Sequence, residues 1–356
     1  MNDSPPNCIV PLLFVNNAGR LVYSVMRIFF TIFVAFLVWV QASNDSYGNI
    51  NLSNPVRGIL DDVSDLISAQ LGPNQIGASY AALISFAGNP DISAATYYID
   101  AGPRADATLS VGRFSFRHSF YEEGDEWRPF VQIMIPYEHL VYDLDTKDGR
   151  GIADPRWDGV GAVITAGNEY VLTERWTFVP AINFGAFRLD SNAGFRGAAS
   201  ESILDPSFSG QIFDWTAYAW VLGGSLWFEH KREFRRFDLE WKSGFTLNHV
   251  ESFYTTSDDI QFSSEAVILN TSLETVHDTP INLNGFPVSL VLSVGGTAFL
   301  GPARDALGFT GYTDYGIAFR ADISQLGFPV ETLQLGGKMI YGPDVVGWSG
   351  VFNYNF

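Results

Sequence analysis

The sequence predicts an all-β chain, a transmembrane, antiparallel, up-and-down β-barrel of 12 strands with one N-terminal amphipathic helix. Three observations carry this expectation. The last residues form an alternating aromatic strand, with Trp348, Gly350, Phe352, Tyr354 and Phe356 on one face and Gly347, Ser349, Val351, Asn353 and Asn355 on the other. Most of the chain shows an apolar period of 2. Past residue 40 no stretch approaches about 18 uncharged apolar residues, the length a spanning helix needs. A strand with one greasy and one polar face suits a wall between lipid and water.

Composition agrees. Aromatics make up 15% and charged residues 17% of the 356 residues, which is too apolar for disorder and too polar for a bundle of membrane helices. A barrel fits between these limits because only alternate residues face lipid. The net charge of −18 argues against a nucleic-acid partner.

Taken in order, residues 1–25 read as an upstream extension. Met26-Arg27, the apolar run Ile28 to Val40 and the small-residue site Val40-Gln41-Ala42 read as a signal peptide over 26–42, which implies export. The single cysteine, Cys8, precedes that cleavage point, so no disulfide or thiolate–metal chemistry is expected after it. Residues 43–53 follow as a flexible mature N-terminus. The helix is expected over 54–72, started by Asn54 as N-cap with Pro55 behind it and stopped by Gly72. Val56, Ile59, Leu60, Val63, Leu66 and Ile67 form its apolar stripe, and Asp61, Asp62 and Asp65 lie opposite.

The barrel is expected over 75–356. Its strands are predicted at 92–101, 105–117, 128–142, 157–172, 175–189, 213–229, 235–248, 263–277, 287–300, 311–323, 330–341 and 346–356, with residues 75–86 unassigned. Tight turns are expected at Thr173-Glu174, His230 to Glu233 and Ser324 to Gly327. Longer loops are expected near 143–156, 190–211, 249–262 and 300–310. Such alternation of short turns and long loops places the long loops outside the cell. Trp157, Tyr170, Trp176, Trp227, Tyr312 and Tyr341 are predicted to form interfacial girdles.

Alternation also predicts the inner wall. Arg113, Arg117, Glu138, Asp238, Glu240, Lys242, Arg320, Asp322 and Lys338 should face the lumen, because a charge on the lipid face costs roughly 2–4 kcal/mol near the midplane. They would either form a salt-bridged interior that restricts solutes or neutralise one another and stiffen the wall.

Motifs for chemistry are sparse. There is no HExxH and no phosphate-binding loop. The nearest approach to a serine hydrolase is His249 with Glu251 and Ser252, and the nearest to an Asp–His protease is His249 with Asp258-Asp259. No catalytic residue, cofactor or metal site is expected. The reading is a non-enzymatic outer-membrane barrel, structural or a narrow or plugged pore; the alternatives are a translocator for a separate polypeptide and a surface lipase or protease.

One amphipathic helix (Asn54 to Gly72), about twelve amphipathic strands and an aromatic last strand (Val346 to Phe356) together resemble the autotransporter translocator domain. Only about a dozen mature residues precede the helix, so the chain looks like a solitary, passenger-less autotransporter-type barrel. The resemblance implies the cell outer membrane, with lipid, lipopolysaccharide and, during insertion, the barrel-assembly machinery as partners, and a monomer. Trp348, Phe352, Tyr354 and Phe356 resemble the terminal signal by which barrels are recognised for insertion. The family's secretion activity does not carry over where no passenger is attached. The helix, through Asp61, Asp62 and Asp65, would then plug the lumen near basic wall residues or lie at the periplasmic rim.

Overall fold

A computed structural model describes residues 94–355 except 101–104, 121–124, 146–150, 196–208, 210–213, 258, 259, 284, 302–306, 308 and 327–329. The predicted signal peptide, the helix with Asp61, Asp62 and Asp65, and Phe356 lie outside the described residues.

Twelve strands follow one another: β1 (Ala94–Asp100), β2 (Ala105–Ser119), β3 (Trp127–Asp145), β4 (Gly151–Thr173), β5 (Trp176–Phe195), β6 (Trp215–Phe234), β7 (Phe237–Thr255), β8 (Ser263–Leu283), β9 (Phe286–Leu300), β10 (Gly311–Asp322), β11 (Thr332–Gly342) and β12 (Val345–Asn355). Each pairs antiparallel with its sequence neighbours, and β12 pairs with β1, Gly350 opposite Ala94, to close the barrel. Closure removes the unpaired edges that a membrane cannot satisfy. The 12-strand antiparallel barrel is as the sequence predicts.

The strand ends are not. The loop expected over 143–156 is mostly strand, since β3 runs to Asp145 and β4 starts at Gly151; β5 and β7 likewise run on to Phe195 and Thr255. His230 to Glu233 lies within β6, and the turn falls at Arg235-Arg236. Asp344, with φ 61°, occupies the left-handed corner of the tight Pro343-Asp344 turn.

The longer strands share a physical cause, an inversion of polarity along their length. In the turn-side half of β5, Ile182 and Phe184 face out, 65% and 57% exposed, while Asn183 is buried inside. In its loop-side half Phe187 and Leu189 are buried inside, and Arg188 and Asp190 pair on the outside. β7 does the same: Phe245 and Leu247 face out around Thr246, then Val250 turns in between His249 and Glu251. Above the lipid band the wall meets water outside, so its apolar side chains turn inward as they would in a soluble barrel.

At the turn-side end, aromatic rings line the outer wall. Trp127 and Tyr170 meet edge-on at 5.3 Å, Tyr170 stacks with Phe178 at 6.3 Å, and Trp176 meets Trp241 at 5.7 Å. Tyr341, at the opposite end of the wall beside the Pro343-Asp344 turn, is also exposed. The other three expected girdle aromatics point inward instead. Trp157 and Tyr312 are only 4% and 6% exposed, and Trp227 lines an interior cavity.

Candidate functional site

The barrel interior holds two unlike halves. The turn-side half carries the charges, arranged in pairs. β7 and β8 place Glu240 directly opposite Glu274, a like-charge pair that would repel. Arg320 on β10 resolves it: Nη1 donates to Glu240 Oε1 at 3.1 Å, Nη2 to Glu274 Oε2 at 3.4 Å, and Nε to Gln334 Oε1 at 3.0 Å. β10 is not adjacent to β7 or β8 in the sheet, so this reach is made across the concave side. Lys338 pairs with Asp314 at 3.0 Å, and Lys242 with Glu229 at 3.4 Å. Arg117 pairs with Glu169 and covers the Phe130 ring at 3.6 Å. Paired, hydrogen-bonded charges are the form in which ions survive away from bulk water.

The loop-side half is apolar. Every strand contributes a buried side chain to one cluster: Tyr97, Leu109, Leu140, Trp157, Leu189, Trp215, Val250, Ile268, Phe299, Tyr312, Ile340 and Val345, from β1 to β12 in turn. Four side chains from the loops, Ile260, Phe262, Leu307 and Phe309, add to it from the β7–β8 and β9–β10 connections. Rings interlock within it, Phe299 against Phe309 at 5.5 Å and Tyr142 against Trp157 at 5.2 Å, both edge-on. This half is a core rather than a channel.

Between the halves lies a cavity of about 130 Å³. Met134, Val163, Phe187 and Val221 line it on the apolar side, Arg117, Glu229 and Lys242 on the charged side, and Thr165, Asn183, Ser225 and Asn248 between. Thr165 donates to Asn183 Oδ1 at 2.8 Å, so part of this wall is already internally satisfied.

The nine residues expected to line the lumen do not act as one set. Arg117, Glu240, Lys242, Arg320 and Lys338 belong to the ion pairs above. Arg113 and Glu138 are buried among the β2 and β3 side chains, 9% and 4% exposed, and neither Glu138 carboxylate oxygen has a hydrogen-bond partner among the described residues. Asp322 accepts from Ser324 N and Oγ at 3.0 and 2.6 Å, a local turn contact. Asp238 stands opposite Glu233 at the end of β7 and makes no ion pair among the described residues. The partners Glu169, Glu229, Glu274 and Asp314 went unread in the sequence. Asp314 carried a signal, because it lies on the same alternating face of β10 as Arg320; β4, β6 and β8, which hold the three glutamates, had no expected lumen residue to mark their inner face.

The sequence candidate around His249 does not assemble. His249 Nε2 is 3.9 Å from Glu251 Oε2, but Ser252 Oγ donates to Phe262 O at 3.2 Å and accepts from Phe262 N at 2.9 Å. That hydroxyl is engaged in holding the β7–β8 connection. Asp258 and Asp259 lie outside the described residues. On β12, Val346 and Phe352 are exposed and Trp348 half-buried on the outer face, and the Tyr354 hydroxyl donates to Ser115 O on β2.

A family model described as "Solitary outer membrane autotransporter beta-barrel domain" matches residues 106–356. No curated protein matches the chain. Among solved structures, the translocator domain of the autotransporter NalP from Neisseria meningitidis is similar, with 9% identity and a TM-score of 0.49 over 74% of this chain and 85% of that one. The transport unit of the autotransporter AIDA-I from Escherichia coli gives 9% and 0.49 over 80% and 99%. The β-domain of the Bordetella autotransporter BrkA gives 14% and 0.46 over 74% and 97%.

Proposed function

Because the chain belongs to the solitary outer-membrane autotransporter β-barrel family, we propose that this member works as a closed barrel of the outer membrane rather than as an open pore. One observation carries the reading: all twelve strands send buried apolar side chains into a single cluster across the loop-side half of the lumen. A solute would have to dissolve that core to pass, and so would an extended polypeptide. The charges beneath it neutralise one another, which supports a stiffening role for them over solute selection.

The same observations bear on the parts outside the described residues. Arg117, Lys242, Arg320 and Lys338 each have a wall carboxylate already, so Asp61, Asp62 and Asp65 would have to compete to plug the lumen. This supports the helix at the periplasmic rim. The acidic long loops would meet lipopolysaccharide through divalent cations, and the aromatic last strand would present the barrel to the assembly machinery. Deleting Phe356 should slow insertion into the membrane; an unchanged rate would refute the assembly role.

Planar-bilayer recording of the full chain tests the main reading. The expected trace is flat at either polarity. Regular steps of current from the unmodified protein would overturn it.

A further inference from the structure

The outer wall carries a polar row that a closed lumen leaves unused. Ser110 on β2, His139 on β3 and Asp158 on β4 are register partners in adjacent strands. All three lie on the outward face, since Leu109, Leu140 and Trp157, beside them in sequence, belong to the interior cluster; His139 and Asp158 are half-buried there, and Ser110 is only 8% exposed between its register partners Thr96 and His139. His139 Nδ1 lies 2.7 Å from Asp158 Oδ1, and the Tyr137 hydroxyl donates to the same oxygen at 3.2 Å. A carboxylate on Nδ1 keeps the ring proton there and leaves Nε2 as the basic nitrogen. On the other side of His139 the ladder places Ser110, with Cβ atoms about 4.5–5.5 Å apart in such a pair. Its hydroxyl rests 3.3 Å from Thr96 Oγ1 instead of on the imidazole. Catalytic contacts of this kind are commonly loose before substrate binds.

The level of the row on the wall selects the substrate. On the turn side of it the outer face is apolar, with Phe114, Phe116, Ile135 and Val160 57%, 48%, 49% and 47% exposed. On the loop side Arg156 follows Asp158 upward, its Nε buried with no hydrogen-bond partner among the described residues, and beside Asp158 on β5 its register partner Asp190 pairs with Arg188 at 2.9 Å. The row therefore sits where the lipid band gives way to the polar belt, on the side of the long loops. Ester linkages of outer-leaflet lipids lie at that depth, with acyl chains against the apolar wall and anionic head groups at Arg156.

We propose that Ser110, His139 and Asp158 form an acyl-ester hydrolase site on the outer wall of the barrel. Ser110 Oγ attacks the ester carbonyl as His139 Nε2 takes its proton. The carbonyl–alkoxy bond breaks, and His139 returns the proton to the leaving alkoxide. A water, deprotonated by His139, then cleaves the acyl-serine, releasing a fatty acid and restoring Ser110. Asp158 steadies the imidazolium throughout. The site is separate from the lumen, and its activity does not depend on whether the pore is closed.

The test uses the full chain, folded in detergent micelles and then in vesicles, with folding of every variant checked by the heat-modifiable gel shift. A fluorophosphonate should form an adduct that maps to Ser110. Fatty acid should be released from phospholipid vesicles or from vesicles carrying lipopolysaccharide, and the arm that responds identifies the lipid source. Ser110→Ala should abolish adduct and release, and His139→Ala should lower both at least 10²-fold. Asp158→Asn should lower release by on the order of 10²–10⁴-fold without changing the gel shift. His249→Ala should leave both intact. A folded wild type giving neither adduct nor fatty acid would overturn the proposal, as would activity that survives Ser110→Ala or is lost in His249→Ala.

Discussion

Arg320 and Glu240 touch, Nη1 to Oε1 at 3.1 Å, although their strands β10 and β7 are not neighbours in the sheet. The same guanidinium holds Glu274, which faces Glu240 across the β7–β8 ladder. One cation thereby stitches three strands from within and relieves a repulsion that the register itself creates.

Arg320→Met should therefore leave two facing glutamates uncompensated. Removing one partner of a buried ion network costs about 3 kcal/mol, read as a lower urea midpoint for the folded, heat-modifiable band. Adding Glu240→Gln and Glu274→Gln should restore much of the loss. If the single and triple variants unfold at the same urea concentration, the clamp is not what stabilises this region.

Trp227 and Gly244 are register partners on β6 and β7, and a Cβ on Gly244 would overlap the indole. Gly244→Ala should cost about 1–3 kcal/mol by forcing the ring off its rotamer. Trp227→Phe in the same background should recover part of it. Unchanged urea stability in Gly244→Ala would show that the ring moves freely into the adjoining cavity.

Leu292 faces outward at 42% exposure, while Thr246 lines the interior cavity. Leu292→Arg places a charge in the lipid band and should cost roughly 2–4 kcal/mol, seen as poor recovery of folded protein from membranes. Thr246→Arg should be recovered far better. Equal recovery would contradict the assignment of faces.

Phe309 is 1% exposed and packs edge-on against Phe299 in the loop-side cluster. Phe309→Ala should cost about 3–5 kcal/mol through lost burial and the space left behind. A loss below about 1 kcal/mol in urea titration would mean that the connection after β9 does not belong to the core.

Much of this was legible in the residues because lipid imposes a local rule. In Ile182, Phe184, Phe245, Leu247, Leu290, Leu292, Leu335 and Met339 the greasy face repeats every second residue, so strands and their lipid side could be read one segment at a time. Where strands rise out of the membrane that rule reverses. Trp157 and Tyr312 therefore read as girdle aromatics although they are core, and the extensions of β3, β4, β5 and β7 read as loops. Glu274 and Asp314 shared the alternation of their neighbours, but nothing local marks which basic residue they meet.

The sequence alone determined that the chain is a run of about twelve antiparallel strands and which side of each meets lipid within the membrane band, because burial in a bilayer repeats with the period of the strand. Only the tertiary structure decided what fills the barrel and which side chains share a row on its wall. Arg320 with Glu240, the twelve-strand apolar cluster, and Ser110 beside His139 and Asp158 all depend on register and curvature. A one-residue slip would send each of those side chains to the opposite face.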